Sequence, residues 1–139
     1  MSEIIKFYSF VEARNEKKHN LGSDTLKWVL TNTAPALTNT VLADITQIAN
    51  GNGYTTGGTA MTVTSSSQSS GLYTLMADPV TFTASGGTMA TFRWAVLYND
   101  TATNDELIGY IDFATGRSMA AGEYVTITPN ATSGLFYDS

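Results

Sequence analysis

The chain of 139 residues has no cysteine, which excludes a disulfide framework, a thiolate metal site and a cysteine nucleophile, and leaves the redox compartment undetermined. It has a single histidine, His19. A Ser-His-Asp triad would therefore have to recruit the end of an N-terminal segment in which Lys17 and Lys18 stand beside it, and a surface or interface histidine is the plainer reading. No apolar run approaches the roughly 20 residues that a membrane-spanning helix needs. The start, Met1–Lys6, lacks a basic stretch followed by a long apolar one, so the expectation is a soluble protein made without Sec-dependent secretion and without a membrane partner. Charge is scarce as well, with Asp, Glu, Lys and Arg making up 14% of residues, and it is unevenly placed. Residues 1–19 carry Lys6, Arg14, Lys17 and Lys18 against Glu3, Glu12 and Glu16, a balance of +1. The remainder carries Lys27, Arg93 and Arg117 against nine carboxylates, a balance of −6. An acidic body of this kind argues against a nucleic-acid partner bound through its surface, because counterion release requires clustered lysine and arginine.

Threonine, serine, glycine and asparagine are abundant instead, a composition suited to short strands and tight turns. The most legible stretch runs from Thr88 to Phe113, where two apolar runs flank a polar, acidic loop and predict a β-hairpin. Strict alternation places Phe92, Trp94, Val96 and Tyr98 on one face of its first strand, and Leu107, Ile111 and Phe113 on one face of its second. Both faces carry apolar groups, so the hairpin is expected at the middle of a sheet. Further strands are predicted over Thr25–Thr31, Thr59–Ser65, Leu72–Ala77, Val80–Ala84, Glu123–Thr128 and Leu135–Tyr137. The turns between them fall at Ser65–Gly71, Asp78–Pro79, Ser85–Gly87, Ala114–Ser118 and Pro129–Gly134, and Val41–Ala49 is read as one or two helical turns. The expected fold is all-β, an antiparallel β-sandwich or barrel, jelly-roll-like, of about eight short strands.

Residues 4–18 follow a different period. Phe7, Phe10, Val11 and Arg14 fall at i, i+3, i+4 and i+7, with bases gathered at the end, which predicts a short amphipathic helix. Such a helix either caps an open end of the β core or serves as an arm that docks on a partner. The charge contrast favours the arm, giving residues 1–20 as arm and 21–139 as β domain. On that reading Phe7, Phe10, Val11, Arg14, Lys17, Lys18 and His19 form the partner interface, and deleting residues 2–18 leaves a folded body.

Groups that could carry chemistry are few. Gly51, Gly53, Gly57 and Gly58 do not fit the dinucleotide fingerprint, and no lysine follows to make a phosphate loop, so no cofactor is expected. Asp100, Asp105, Glu106 and Asp112 gather in or beside the hairpin loop, but their spacing fits no EF-hand register, and a solvated hairpin tip accounts for them without a metal. Subunit or lattice contacts through Asp100, Asp105 and Glu106 are the functional alternative. Most aromatics lie in strands and are expected in the core; Tyr54 and Tyr137 are the ones most open to a sugar-stacking role.

Several segments resemble a family of small virion proteins of tailed bacteriophages. They are His19–Lys27 (HNLGSDTLK), Leu30–Pro35 (LTNTAP), Thr40–Ile45 (TVLADI), Gly51–Tyr54 (GNGY), Val80–Gly87 (VTFTASGG) and Phe92–Thr101 (FRWAVLYNDT). The stretch from Ala114 onward contributes least. The resemblance implies a non-enzymatic head decoration or cement protein, assembled in the host cytoplasm into the virion. Its partners would be the major capsid protein and further copies of itself, as a homotrimer around local threefold axes. A tail, collar or fibre component and a carbohydrate-binding β-sandwich are the alternatives.

Overall fold

The computed structural model describes residues 4–129 and 136–138. It is an all-β, sandwich-like arrangement of antiparallel sheets with one short helix among the described residues. In chain order the elements are β1 (Ile5–Lys6), α1 (Tyr8–Asn15), β2 (Leu26–Thr31), a 3-10 turn (Leu42–Asp44), β3 (Thr59–Met61), β4 (Val63–Ser69) and β5 (Leu72–Ala77). These are followed by β6 (Val80–Thr83), β7 (Met89–Asn99), β8 (Leu107–Met119), β9 (Tyr124–Ile127) and β10 (Phe136–Asp138). Strands β1-β8-β7-β2-β3 form the main sheet, β10-β5-β4 a second and β6-β9 a third.

The predicted hairpin is β7–β8, and it lies inside the main sheet. Its faces are not those of strict alternation. Phe92, Ala95 and Leu97 share the main core with Leu26, Trp28 and Leu30, whereas Val96 and Tyr98 belong to a second cluster with Phe7, Val29, Ile45 and Leu107. Two irregularities cause the change. The register shifts between Phe92 and Trp94, and again where Tyr98 pairs with Leu107 but Leu97 pairs with Gly109, leaving Ile108 as an extra residue. A bulge inverts the in–out order of everything beyond it. Ile108 and Ile111 therefore reach the main core, and Leu107 faces the other way.

Both faces of the main sheet are thus covered. The main core lies between it and the two smaller sheets, which contribute Leu75, Val80, Phe82, Val125 and Ile127. The second cluster lies under Phe7 and the connection that carries Leu42 and Ile45. That connection is pinned to the hairpin. The Leu42 amide donates to the Asp105 carbonyl (3.0 Å) and the Leu107 amide to the Thr40 carbonyl (3.0 Å). Asp44 accepts from the Thr40 amide (2.9 Å), which with the Val41 amide holds its carboxyl below the usual range.

The serine-rich stretch is strand rather than turn. Ser66, Ser67, Gln68 and Ser69 pair with Leu75, Thr74, Tyr73 and Leu72, so the turn shrinks to Ser70 and Gly71, both with positive φ (51° and 83°). Two central residues at positive φ are the geometry whose twist matches antiparallel strands. Ala114–Ser118, predicted as a turn, lies within β8, with Ala114 at φ 74° where three extra residues of β8 are accommodated between the Asp112 and Arg117 pairings.

Candidate functional site

The segment expected to stand apart as residues 1–20 is stitched into the body over its described part. Ile5 and Lys6 pair with Tyr110 and Gly109. The Phe7 amide donates to the Ile108 carbonyl (3.2 Å) and the Tyr8 amide to the Leu37 carbonyl (3.1 Å). Phe7 and Phe10 are 1% and 0% exposed. They do not share a face, because Phe7 precedes the helix in extended conformation (φ −69°, ψ 152°). Its ring meets Tyr110 (5.4 Å between centroids) in the second cluster, while Phe10 enters the main core. The inward residues of α1 are Phe10 and Ala13, and Val11 turns outward. The partner-facing role expected of Phe7 and Phe10 gives way to core packing, and removal of residues 2–18 would open both clusters rather than leave a folded body.

The helix ends in a tight cap. The Lys18 amide donates to the Ala13 carbonyl (2.9 Å) across Lys17, which sits at φ 66°. This is the bond of a Schellman motif, in which a left-handed residue satisfies the last carbonyls of the helix. The cap delivers His19 and Asn20 to the start of the next turn, where the Ser23 and Asp24 amides donate to the Asn20 carbonyl (3.0 and 2.8 Å).

At this point the two separately predicted clusters meet through Asn99. Asn99, the last residue of β7, is 0% exposed. Its Oδ1 accepts from the Thr101 amide (2.9 Å) and the Ala102 amide (3.1 Å). Its Nδ2 donates to Asp24 Oδ2 (2.7 Å) and to His19 Nδ1 (3.0 Å). One buried amide therefore shapes the acidic loop and ties it to the end of the N-terminal segment. Burial pushes the His19 imidazole below its ordinary value, against the opposing pull of the Glu106 and Asp24 carboxylates.

The loop carboxylates do not converge. Asp100 pairs with Lys27 (3.3 Å), Asp105 is held at φ 54°, and Glu106 Oε1 accepts from the Asn104 amide (2.8 Å). Burial and the neighbouring Asp100 and Glu106 charges raise the Asp105 carboxyl. Asp112 lies apart, in a two-point contact with Arg93 (2.9 and 3.2 Å) that lowers the carboxyl. No group of three or more His, Asp or Glu side chains among the described residues is placed to hold a metal ion.

Tyr54, offered as a sugar platform, is 2% exposed. Its hydroxyl donates to Gln47 Oε1 (2.6 Å), and Gln47 Oε1 also accepts the Gly57 amide (2.9 Å). The Tyr98 hydroxyl donates to the Gly57 carbonyl (2.6 Å), so both tyrosines pin the glycine-rich connection from below. The Tyr137 side chain lies outside the described residues.

No family model, curated protein or solved structure matches the chain. A cleft of about 520 Å³ between the end of α1 and the second sheet is lined by Arg14, Lys17, His19, Leu21, Ser66 and Tyr73. The N-terminal segment also exposes Ile5 (41%), Tyr8 (66%) and Val11 (50%). Of the sequence-predicted interface residues, Val11, Lys17 and Lys18 are on the surface, Arg14 and His19 are half-buried, and Phe7 and Phe10 are inside. Ile5, Tyr8 and Asn99 are the positions that sequence reasoning missed. Asn99 carried one signal, an asparagine at a strand end followed by Asp-Thr, where its side chain can cap the next turn.

Proposed function

We propose that the protein is a structural component of a tailed-phage virion, a decoration or cement protein seated on the outside of the capsid. The observation that carries this reading beyond the sequence resemblance is the exposure of Ile5, Tyr8 and Val11, three large apolar side chains on a segment that also sends Phe7 and Phe10 into two core clusters. Exposed apolar groups on an element anchored to the core, in a segment that also carries Lys17 and Lys18 on the surface, suit a protein–protein contact whose ordering cost was met on folding. Tyr8 and Val11 are already partly covered, so burying what remains exposed contributes on the order of 1–2 kcal/mol for each side chain. The partner on this reading is the major capsid protein, and several copies self-associate around a threefold axis.

The test is cosedimentation of the purified full chain with heads that lack it. Tyr8→Asp and Val11→Asp change exposed positions, so both variants fold, and each is expected to lose capsid binding. Immunogold position on the virion separates this role from a tail or collar role: label on the tail would overturn the decoration reading while leaving a virion role intact.

A further inference from the structure

Asn99 and His19 meet in a way that fixes where the imidazole carries its proton. The orientation of the Asn99 amide is set, because Oδ1 receives two backbone N–H groups, from Thr101 and Ala102. Its nitrogen therefore faces His19 Nδ1 at 3.0 Å, and an amide nitrogen can only donate. Nδ1 must present its lone pair, which leaves the proton of the neutral ring on Nε2, an atom that is buried with no hydrogen-bond partner among the described residues. A second proton would go to Nδ1 and set two donors against each other.

We propose that His19 and Asn99 form a proton-sensitive latch that holds the end of the N-terminal segment against the acidic loop at neutral pH and releases it when the imidazole becomes cationic. The groups around the ring define its setting. Phe10 lies against it at 5.4 Å between centroids, the apolar wall that disfavours the cation. Asp24, from the turn before β2, and Glu106, from the hairpin loop, favour it. Lys18 adjoins it in sequence, and Arg14 and Lys17 line the same cleft. Burial outweighs the two carboxylates, so the latched imidazole titrates below 6.5. The sign follows from that direction: the latch contributes its full stability above pH 6.5 and loses it as the pH falls through 6.5 towards the lower folded value. A cationic ring sets a donor at Nδ1 against the Asn99 amide nitrogen, and the amide relieves that opposition by turning, which takes its Oδ1 from the Thr101 and Ala102 amides and frees the Lys17–Asn20 turn. The device stands on these contacts and does not depend on what the outer face of α1 binds.

Nuclear magnetic resonance on the nitrogen-15-labelled full chain tests it. At pH 8 the His19 proton is expected on Nε2. On acidification, protection of the Thr101 and Ala102 amides from exchange should fall below pH 6.5, by up to about tenfold per pH unit until the latched imidazole titrates. His19→Gln supplies an oxygen that accepts from Asn99 but cannot titrate, and its protection should stay flat over the same range. A proton on Nδ1 at pH 8 overturns the proposal, and so does the same loss of protection in His19→Gln. Should that variant fail to fold, the tautomer of the wild-type ring and its titration against Thr101 and Ala102 protection decide alone.

Discussion

Replacing Phe10 by alanine separates an embedded N-terminal segment from a free arm. Phe10 is 0% exposed and packs within the main core with Leu21, Leu26 and the imidazole of His19, beneath the Arg14 guanidinium (5.7 Å to the ring centroid). Truncating a fully buried phenylalanine typically costs about 3–5 kcal/mol, transfer and cavity terms together. The whole stability of a domain this size is about 5–15 kcal/mol, so the change removes a large share of it. Each kcal/mol shifts the melting temperature by about 3–5 °C at this chain length, which predicts a fall of about 9–25 °C for Phe10→Ala. Tyr8→Ala, two residues away but 66% exposed, should stay within about 0.5 kcal/mol of wild type. Urea denaturation of the two variants side by side is the assay. Equal, small losses would refute the placement of Phe10 in the core and restore the arm.

Two further perturbations test the packing around the site. At Gly109 an added Cβ would lie 2.8 Å from both Ile4 Cγ1 and the Ile5 carbonyl oxygen; Gly109→Ala should therefore cost roughly 1–3 kcal/mol through overpacking and loosen β1, read as lost protection of the Phe7 amide that donates to the Ile108 carbonyl. Burial raises both the Tyr54 and Tyr98 hydroxyls to about 12. The folded protein then holds these protons more tightly than the unfolded chain, so stability is complete below pH 10 and falls as pH rises from 10 towards 12, a loss that Tyr54→Phe should reduce.

The sheet hairpins were legible because their apolar runs are long and bounded by turn residues. Leu72–Ala77 has the bounds that its pattern predicts, and the Met89–Asn99 and Leu107–Met119 pair was expected at the middle of a sheet. The faces of that pair were not legible. Alternation has no means of announcing a bulge, and the extra residue at Ile108 turned Leu107 and Ile111 to opposite sides. The serine run hid a strand, since Ser66–Ser69 pair through their backbones and bury little side chain. For the site, helical spacing put Phe7 and Phe10 on one partner-facing side, whereas both are buried; Phe7 lies outside the helix, so the seven-residue spacing joined positions that belong to two clusters. The link between His19 and Asn99 spans 80 positions and follows no local pattern.

In the proposed role the outer side of the N-terminal segment docks the protein on a capsid while its inner side belongs to the core. Cosedimentation of the folded Tyr8→Asp variant with heads lacking the protein measures this directly. Wild type is expected to pellet with the heads, and Tyr8→Asp, with unchanged melting, to stay in the supernatant. Equal pelleting of both proteins would contradict it.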